Sequence, residues 1–383
     1  MMKKLQIVFL FVFLAACSSN VQVPPTVTPD IRQTPSLFPT QTLTPTATLT
    51  PTPIPTAIGG GAGKLAFTSE RDGYQEIYVI NSDGSNLVKL TNNITPKFDP
   101  AWSPDGKQIA FGSYNNDSGG LYIMNSDGSN PTKLIDTKRL STYYSQAAAA
   151  SGFGIGSPVW SPDGKKIGFS SSYYVGCCFA HGYTSVINAD GSHLITAEGV
   201  SWSGIVFWSP DSQRIAYSGS CGGGSSICVM NADGTSHHIA DGRIPTWSPD
   251  GKKIAFSSGP YNNVEVYVIN VDGTNPINLT NYNKGWDGNP IWSPDGKKIA
   301  FSSYRDGNWE IYVMNSDGSD QINLTNNSAT DGNPVWSPDS QKIAFVSERD
   351  GNNEIYLVDV NDSSMLKRLT ENEANDYSPA WSP

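Results

Sequence analysis

The sequence predicts an all-β fold, a seven-bladed β-propeller of four-stranded antiparallel blades, and three observations predict it. The triplet Trp-Ser-Pro recurs seven times, at Trp102, Trp160, Trp208, Trp247, Trp292, Trp336 and Trp381. A third-strand motif also recurs seven times: EIYVIN ending at Asn81, LYIMN at Asn125, TSVIN at Asn188, ICVMN at Asn231, VYVIN at Asn270, IYVMN at Asn315 and IYLVD at Asp359. The period, about 45 residues, is that of a radial array in which each blade buries its faces against its neighbours. Such an array accommodates the roughly 320 residues from Lys64 to Pro383, more than one ordinary core holds.

The segments ahead of the repeats are of another kind. Residues 1–17 read as a targeting segment: Lys3 and Lys4, then an apolar stretch from Leu5 to Leu14 that is too short for a stable membrane-spanning helix. Leu14-Ala15-Ala16-Cys17 resembles the lipobox of bacterial lipoproteins, which implies lipidation of Cys17; the plainer reading is a secretory signal with a chance cysteine. Residues 18–63 are a tether of Pro and Thr with a Gly-rich end. This composition cannot bury enough apolar surface to offset ordering, and its prolines favour an extended chain that reaches on the order of 100 Å.

Within a blade every turn carries its own chemistry. In the repeat around Trp292, Ile291-Trp292 is a short first strand and Ser293-Pro294-Asp295-Gly296 a turn. Lys298 to Ser302 is the second strand, and Tyr304-Arg305-Asp306-Gly307-Asn308 the next turn. Glu310 to Met314 is the third strand, Asn315-Ser316-Asp317-Gly318 a turn, and Gln321 to Thr325 the outer strand. The repeats open on a second strand, Leu65-Ala66-Phe67, and close on a lone first strand, Tyr377 to Trp381. One blade is therefore expected from both ends, which pairs the free edges. The rival arrangement is a chain truncated after Pro383 that carries a further blade.

The run Trp-Ser-Pro-Asp-Gly-Lys-Lys-Ile-Ala-Phe, followed by Arg-Asp-Gly and Ile-Tyr-Val-Met-Asn, resembles the WD40-like repeat of TolB propellers and covers residues 64–383. The resemblance implies a propeller of the periplasmic cell envelope, and in that family the partner is a peptidoglycan-associated lipoprotein. The chain departs from the family pattern, where an α/β domain precedes six blades. No partner-binding residue transfers by motif.

The two faces of the predicted ring differ. Turns after the first and third strands are monotonous, Ser-Pro-Asp-Gly or Ser-Pro-Asp-Ser at six and Asn-x-Asp-Gly at six, and their aspartates read as turn formers. Calcium loops need further carboxylates that these segments lack. The opposite face is irregular, with a long link at 136–156 and an insertion at 171–184. Trp202, Trp286 and Trp309 lie outside the repeated triplet and map there. So do Tyr114, Tyr143, Tyr144, Tyr173, Tyr174, Tyr261, Tyr282, Tyr304 and Tyr377. Exposed loops rich in Trp and Tyr make a recognition surface; the alternative is that the rings pack the loops onto the blades. Asp287, Asp331 and Asp376 each stand three residues before the inner-strand proline. They are expected either to line the channel mouth, binding a cation or a Lys/Arg side chain, or to cap the backbone of their own strands. Lys97 holds the equivalent place in the second blade, so the acidic ring is incomplete.

Cysteine usage points to an oxidising compartment. Cys221 and Cys228 flank a hairpin turn and Cys177 and Cys178 are adjacent, which leaves three connectivities open. A zinc site from Cys177, Cys178 and His181 has no standard ligand spacing. The net charge of −10 with no Lys/Arg run excludes nucleic acid and electrostatic lipid binding; it suits a basic peptide, a cation or solubility. Some relatives of this repeat are fused to peptidases, but no Gly-x-Ser-x-Gly elbow is present. Others are polysaccharide lyases that use channel histidines, whereas His181, His193, His237 and His238 fall outside the inner strands. The resulting expectation is a monomeric, non-enzymatic, lipid-anchored envelope module without an obligatory cofactor. It binds a protein or peptide through Asp287, Asp331, Asp376, Trp202, Trp286, Trp309, Tyr282, Tyr304 and Tyr377, or alternatively a glycan.

Overall fold

The computed structural model describes residues 63–92, 95–114, 119–142, 150–175, 179–199, 206–221, 224–282 and 285–383. The targeting segment with Cys17, the tether, Trp202, Cys177 and Cys178 lie outside the described residues. The regular structure described is β-strand apart from one short helix at Thr137–Ser141. We number the repeats in chain order, from one (Lys64–Ser69 onward) through six (the repeat around Trp292) to seven (the repeat around Trp336).

Repeat six shows how the pattern folds. Its strands are Gly285–Trp292, Lys298–Ser303, Glu310–Asn315 and Ile322–Asn323. The first begins at Gly285 rather than Ile291, because a bulge between Gly288 and Ile291 lets pairing resume further back. The outer strand is shorter than expected, since it is the exposed rim of the sheet. Period-two alternation then divides the second strand between two neighbours. Ile299 and Phe301 pack with Ala255, Val266 and Val268 of repeat five. Ala300 packs with Ile343 and Phe345 of repeat seven. The second strand is thus buried on both faces, which is why Ile-Ala-Phe reads as a continuous apolar run.

Pairing among the described residues gives five sheets. Three have four strands each, and two have eight, in which neighbouring repeats are joined. Repeats three and four join through Gly199 opposite Gly219, and repeats five and six through a parallel pairing of Asn263 with Gly285 and Val264 with Trp286. The last strand, Asp376–Trp381, pairs antiparallel with Lys64–Ser69, setting Leu65 opposite Trp381 and Ser69 opposite Asp376. Leu65, Phe67 and Tyr78 of repeat one share a core with Ala344, Val346 and Leu357 of repeat seven.

The tryptophans of Trp-Ser-Pro tie one repeat to the next. The Trp102 indole donates to the Ala380 carbonyl at 3.2 Å, Trp160 to Ala101 at 3.1 Å and Trp208 to Val159 at 3.0 Å. Trp247 donates to Phe207 at 3.1 Å, Trp336 to Ile291 at 3.1 Å and Trp381 to Val335 at 3.2 Å. In each case the acceptor is the residue just before the tryptophan of the preceding repeat. Trp292 Nε1 is buried without such a partner.

Both insertions acquire structure. The 136–156 link starts with the helix Thr137–Ser141, whose first turn is capped by the Asp136 carboxylate accepting from the Arg139 N–H at 2.6 Å, and continues into the strand Ala150–Trp160. The 171–184 insertion is an extension of one hairpin, Lys166–Val175 with Phe179–Asn188.

Candidate binding face

The three inner-strand aspartates are internal ion pairs. Arg305 Nη2 donates to Asp287 at 2.6 Å, Arg71 Nη2 to Asp376 at 2.7 Å and Arg349 Nη2 to Asp331 at 3.2 and 3.0 Å. The carboxylates are 1%, 0% and 0% exposed for Asp287, Asp331 and Asp376, so no ligand reaches them. This corrects the expectation of an acidic channel mouth open to a cation or a partner's Lys or Arg. The basic side chain is supplied by the Arg-Asp-Gly turn of the same repeat. Asn327 and Asn372 add amide donors to Asp331 and Asp376 at 2.5 and 2.8 Å. Burial pushes the Asp376 carboxyl above its ordinary range, against the pull of Ser69 and Arg71.

Each arginine is fixed by rings and hydroxyls as well as charge. Arg305 lies 5.5 Å from the Phe301 centroid and 4.6 Å from that of Tyr312. Arg71 sits likewise over Phe67 and Tyr78, and Arg349 over Phe345 and Tyr356. The Nε–H groups of Arg71, Arg305 and Arg349 donate to Ser69, Ser303 and Ser347. The aspartate of the same Arg-Asp-Gly turn accepts from the Tyr78, Tyr312 or Tyr356 hydroxyl. Burial, and then that contact, raise the phenol pKa values.

A second buried network escaped the sequence reading. Glu76, Glu310 and Glu354 open their third strands and Glu265 lies near the start of its own, at 2%, 1%, 0% and 4% exposure. Each accepts from a threonine hydroxyl, Thr91, Thr325, Thr370 and Thr280 respectively. Asn308 and Asn352 bond to Glu310 and Glu354 and hold two carbonyls each of the link to the next repeat. The signal was present in the sequence, as Glu-Ile-Tyr or its variant followed 15 or 16 residues later by Leu-Thr.

The aromatic residues divide into packed and presented. Trp286 and Trp309 meet edge to face with centroids 4.8 Å apart at 83°, and Tyr304 meets Trp309 at 5.4 Å and 65°. Arg305 reaches back over Tyr282 at 4.8 Å. Tyr282 and Tyr304 are 41% and 45% exposed, and the two indoles are half-buried. The Trp286 ring lies over Gly288, where an added Cβ would come within 2.8 Å of it. The parallel pairing of repeats five and six carries Trp286, and the Tyr304 N–H bonds to the Trp286 carbonyl at 2.9 Å, so these rings stand on paired backbone. Tyr261 and Tyr114 are also exposed, as is Tyr74, which the sequence reading overlooked. Tyr377 belongs to the packed class. It lies against the core of repeats one and seven, and its hydroxyl bonds Glu70 at 3.1 Å. This corrects its place among the ligand-binding residues.

The opposite face is built from self-contained turns. In each Ser-Pro-Asp turn the serine hydroxyl donates to the aspartate two residues on, as Ser103 does to Asp105 at 2.7 Å and Ser293 to Asp295 at 2.7 Å. In Asn-x-Asp-Gly turns the aspartate accepts from the Ser or Thr two residues on, as Asp83 does from Ser85 and Asp272 from Thr274. These bonds hold Asp105 and Asp83 below the ordinary carboxylate value. Cys221 and Cys228 form a disulfide with a Cα–Cα distance of 6.1 Å. Among the described residues no three His, Cys, Asp or Glu side chains converge as a metal site. No helix among them is long and apolar enough to cross a membrane.

The profile of the TolB beta propeller domain matches residues 55–152 and 206–331, more than half of the chain. The chain belongs to the TolB β-propeller family. Among curated relatives, the Tol-Pal system protein TolB of Desulfosudis oleivorans is 43% identical over 51 residues, 13% of this chain and 12% of that protein. The TolB homolog of Chlorobaculum tepidum matches equally, 43% over 51 residues with the same coverage. Each match therefore spans about an eighth of the relative's length. Among solved structures, TolB from Acinetobacter baumannii superposes with a TM-score of 0.56 at 18% identity, covering 85% of this chain and 68% of that one. An oligogalacturonate lyase from Vibrio parahaemolyticus superposes at 0.60 and 17% identity, covering 78% and 87%. At such identities the structural likeness is one of fold, which this TolB-family propeller shares with a TolB and with an oligogalacturonate lyase alike.

Proposed function

We propose that this TolB-family propeller is a non-enzymatic binding module of the bacterial cell envelope. It is anchored by a lipid on Cys17 and engages a protein or peptide through the aromatic face at repeats five and six. The observation that carries the reading is the cluster of Tyr282, Trp286, Tyr304 and Trp309, presented on paired backbone and backed by Arg305. Rigid, half-exposed aromatic rings supply contact area at low entropic cost, the usual make-up of an interface anchor. Asp287 supports this surface by fixing Arg305, as Asp331 and Asp376 fix Arg349 and Arg71 in repeats seven and one, and the partner meets rings rather than carboxylates. The envelope assignment draws on the relatives' names in the Tol-Pal system, the disulfide Cys221–Cys228 and the apolar amino-terminal segment.

A flat sugar is the weaker candidate, because the rings cross at 83° and 65° and offer no coplanar platform. The test is capture from envelope extract on the immobilised mature chain, beside a Trp286→Ala/Tyr304→Ala double variant of equal melting temperature. A protein retained by the native chain and lost by the variant is the expected result. Equal retention by both, or retention of polysaccharide alone, overturns the reading.

A further inference from the structure

The cleft between repeats three and four is packed differently from the cleft between six and seven. In the latter, Ala300, Ile311 and Leu324 of repeat six meet Phe345 and Tyr356 of repeat seven. By register, Gly168, Thr184 and Ala197 of repeat three take the places of Ala300, Ile311 and Leu324, and Cys228 of repeat four takes that of Tyr356. Each replacement is smaller, and a core left short of volume closes up only in part. Val206 fills the room over Gly168, where an added Cβ would lie 2.8 Å from its Cγ1. The slack remains nearer the Asn-x-Asp-Gly ends of the strands.

Two observations locate it. In repeats two, three, five and six the glycine of the third turn sits on the outer strand of the preceding repeat. A Cβ on Gly128, Gly191, Gly273 or Gly318 would come 2.7, 3.2, 3.4 or 2.9 Å from the carbonyl oxygen of Leu90, Leu134, Ile239 or Leu279. Gly234 of repeat four would instead meet the Ile195 side chain, at 3.0 Å, so its turn stands off the strand. Ile195 is half-buried, whereas Ile277 and Ile322 in the same register are 52% and 56% exposed; it is turned inward as a prop. Beside it lies a cavity of about 210 Å³ walled by Val186, Ile195, Trp208, Ile215 and Met230. Residues 200–205, outside the described residues, join the two repeats at the other end of the strands, where Gly199 pairs with Gly219. Lys166, His193 and Arg214 stand at the rim. Lys166 and His193 act electrostatically on Asp163 and Asp190, and Arg214 faces Asp211 at 3.9 Å. Each rim cation thus has a carboxylate in its own repeat, and the opening selects no ion.

We propose that the cleft between repeats three and four is a binding site for a small neutral aromatic molecule of one or two rings, lying against Trp208 and Met230. An engineered apolar cavity of about 150 Å³ takes up benzene, so the larger volume here admits a fused second ring. The wall supplies an indole and a thioether, both of which pack well on aromatic faces and edges. A charged guest would shed water against this wall with no spare rim charge to meet it. The site lies on the face opposite the Trp286 cluster, and the inference is independent of that face.

The test uses the full chain with ¹³C-methyl methionine and reads the Met230 resonance, assigned by its loss in Met230→Leu. Met314, in the core of repeats five and six, is the internal reference. The probes are indole, indole-3-carboxylate and indol-3-ylmethylammonium, which share one ring system and differ in charge. Indole is expected to give a saturable shift of Met230, with a Kd of about a millimolar that is usual for about nine heavy atoms, and to leave Met314 in place. Both ions should bind at least about tenfold more weakly. Val186→Phe, which places a ring in the cavity, should weaken indole by at least about tenfold. If that variant fails to fold, the ranking of probes and the contrast of Met230 with Met314 on the native chain decide by themselves. A Met230 methyl unmoved by indole at about 10 mM, equal shifts of Met230 and Met314, an ion bound as tightly as indole, or unchanged indole binding in folded Val186→Phe each overturns the proposal.

Discussion

The two faces of the repeat use aspartate in opposite ways. On the Ser-Pro-Asp and Asn-x-Asp-Gly face, a residue such as Asp105 or Asp83 accepts from hydroxyl and backbone donors of its own turn, close to water. On the other face Asp287, Asp331 and Asp376 are buried and each is bound by an arginine of its own repeat. The first kind shapes a local turn, so removing one should loosen one hairpin. The second kind joins two elements of a blade, so removing its partner leaves a charge buried without compensation. A repeated acidic residue is therefore not by itself a ligand site; burial and the partner decide.

The largest expected effect tests that contrast directly. Arg349→Ala leaves Asp331 buried and should lower stability by about 3–5 kcal/mol, read from the urea midpoint, whereas Asp105→Ala should cost about 1 kcal/mol. A loss at Arg349 no larger than at Asp105 would break the comparison.

Next comes the disulfide, which lies at the irregular face. With a sequence separation of 7 between Cys221 and Cys228, Cys221→Ser/Cys228→Ser should cost about 2 kcal/mol in oxidising buffer. The same variant should show little further loss on adding reductant, and a continued large loss would place the sensitivity elsewhere.

The inter-repeat tryptophans allow a smaller, internally controlled measurement. Trp336→Phe removes a bonded indole N–H and should cost about 1 kcal/mol more than Trp292→Phe, whose Nε1 has no such partner. Equal losses would mean that the bond to Ile291 contributes nothing net.

Acid unfolding sharpens the comparison further. The turn aspartates have folded pKa values below their ordinary 3.8, so their contribution is complete above that pH and is lost as pH falls beneath it. Asp376 and Glu310 are shifted upward by burial and act with the opposite sign, their contribution complete below 3.8 and 4.5 and lost as pH rises from there through their higher folded values. The melting temperature should therefore decline below about pH 3.8, and Asp105→Asn should flatten that decline. A melting temperature that instead rises below that pH would show the buried carboxyls dominating. Smallest in stability is Trp286→Ala, which should weaken partner capture at least tenfold while shifting the melting temperature far less than Arg349→Ala does.

Much of this was legible because it is repeated. Trp-Ser-Pro at its regular spacing marked the blades, and the turn residues marked the hairpins. The odd first and last strands foretold the pairing of Leu65 with Trp381. The hairpin that brings Arg305 onto Asp287 was legible too, yet the ion pair was not, because periodicity records position along a strand and not what a long side chain reaches. Tyr377 looked like an exposed ring, but the core it packs against comes from Val346 and Leu357, contributed by another repeat. Lys97 was read as a gap in an acidic ring; its burial to 4% exposure and the bond from its Nζ to the Thr95 hydroxyl depend on how the strand entry folds back on itself.

By itself, then, the sequence determined the repeat, the strand order, the turn chemistry and which residues alternate inward, since each depends on interactions within a few residues. Only the tertiary structure decided which charges are neutralised and which rings are covered. Those outcomes depend on side chains from different hairpins and neighbouring repeats meeting in a low-dielectric interior, where an unpaired charge costs far more than it does in water.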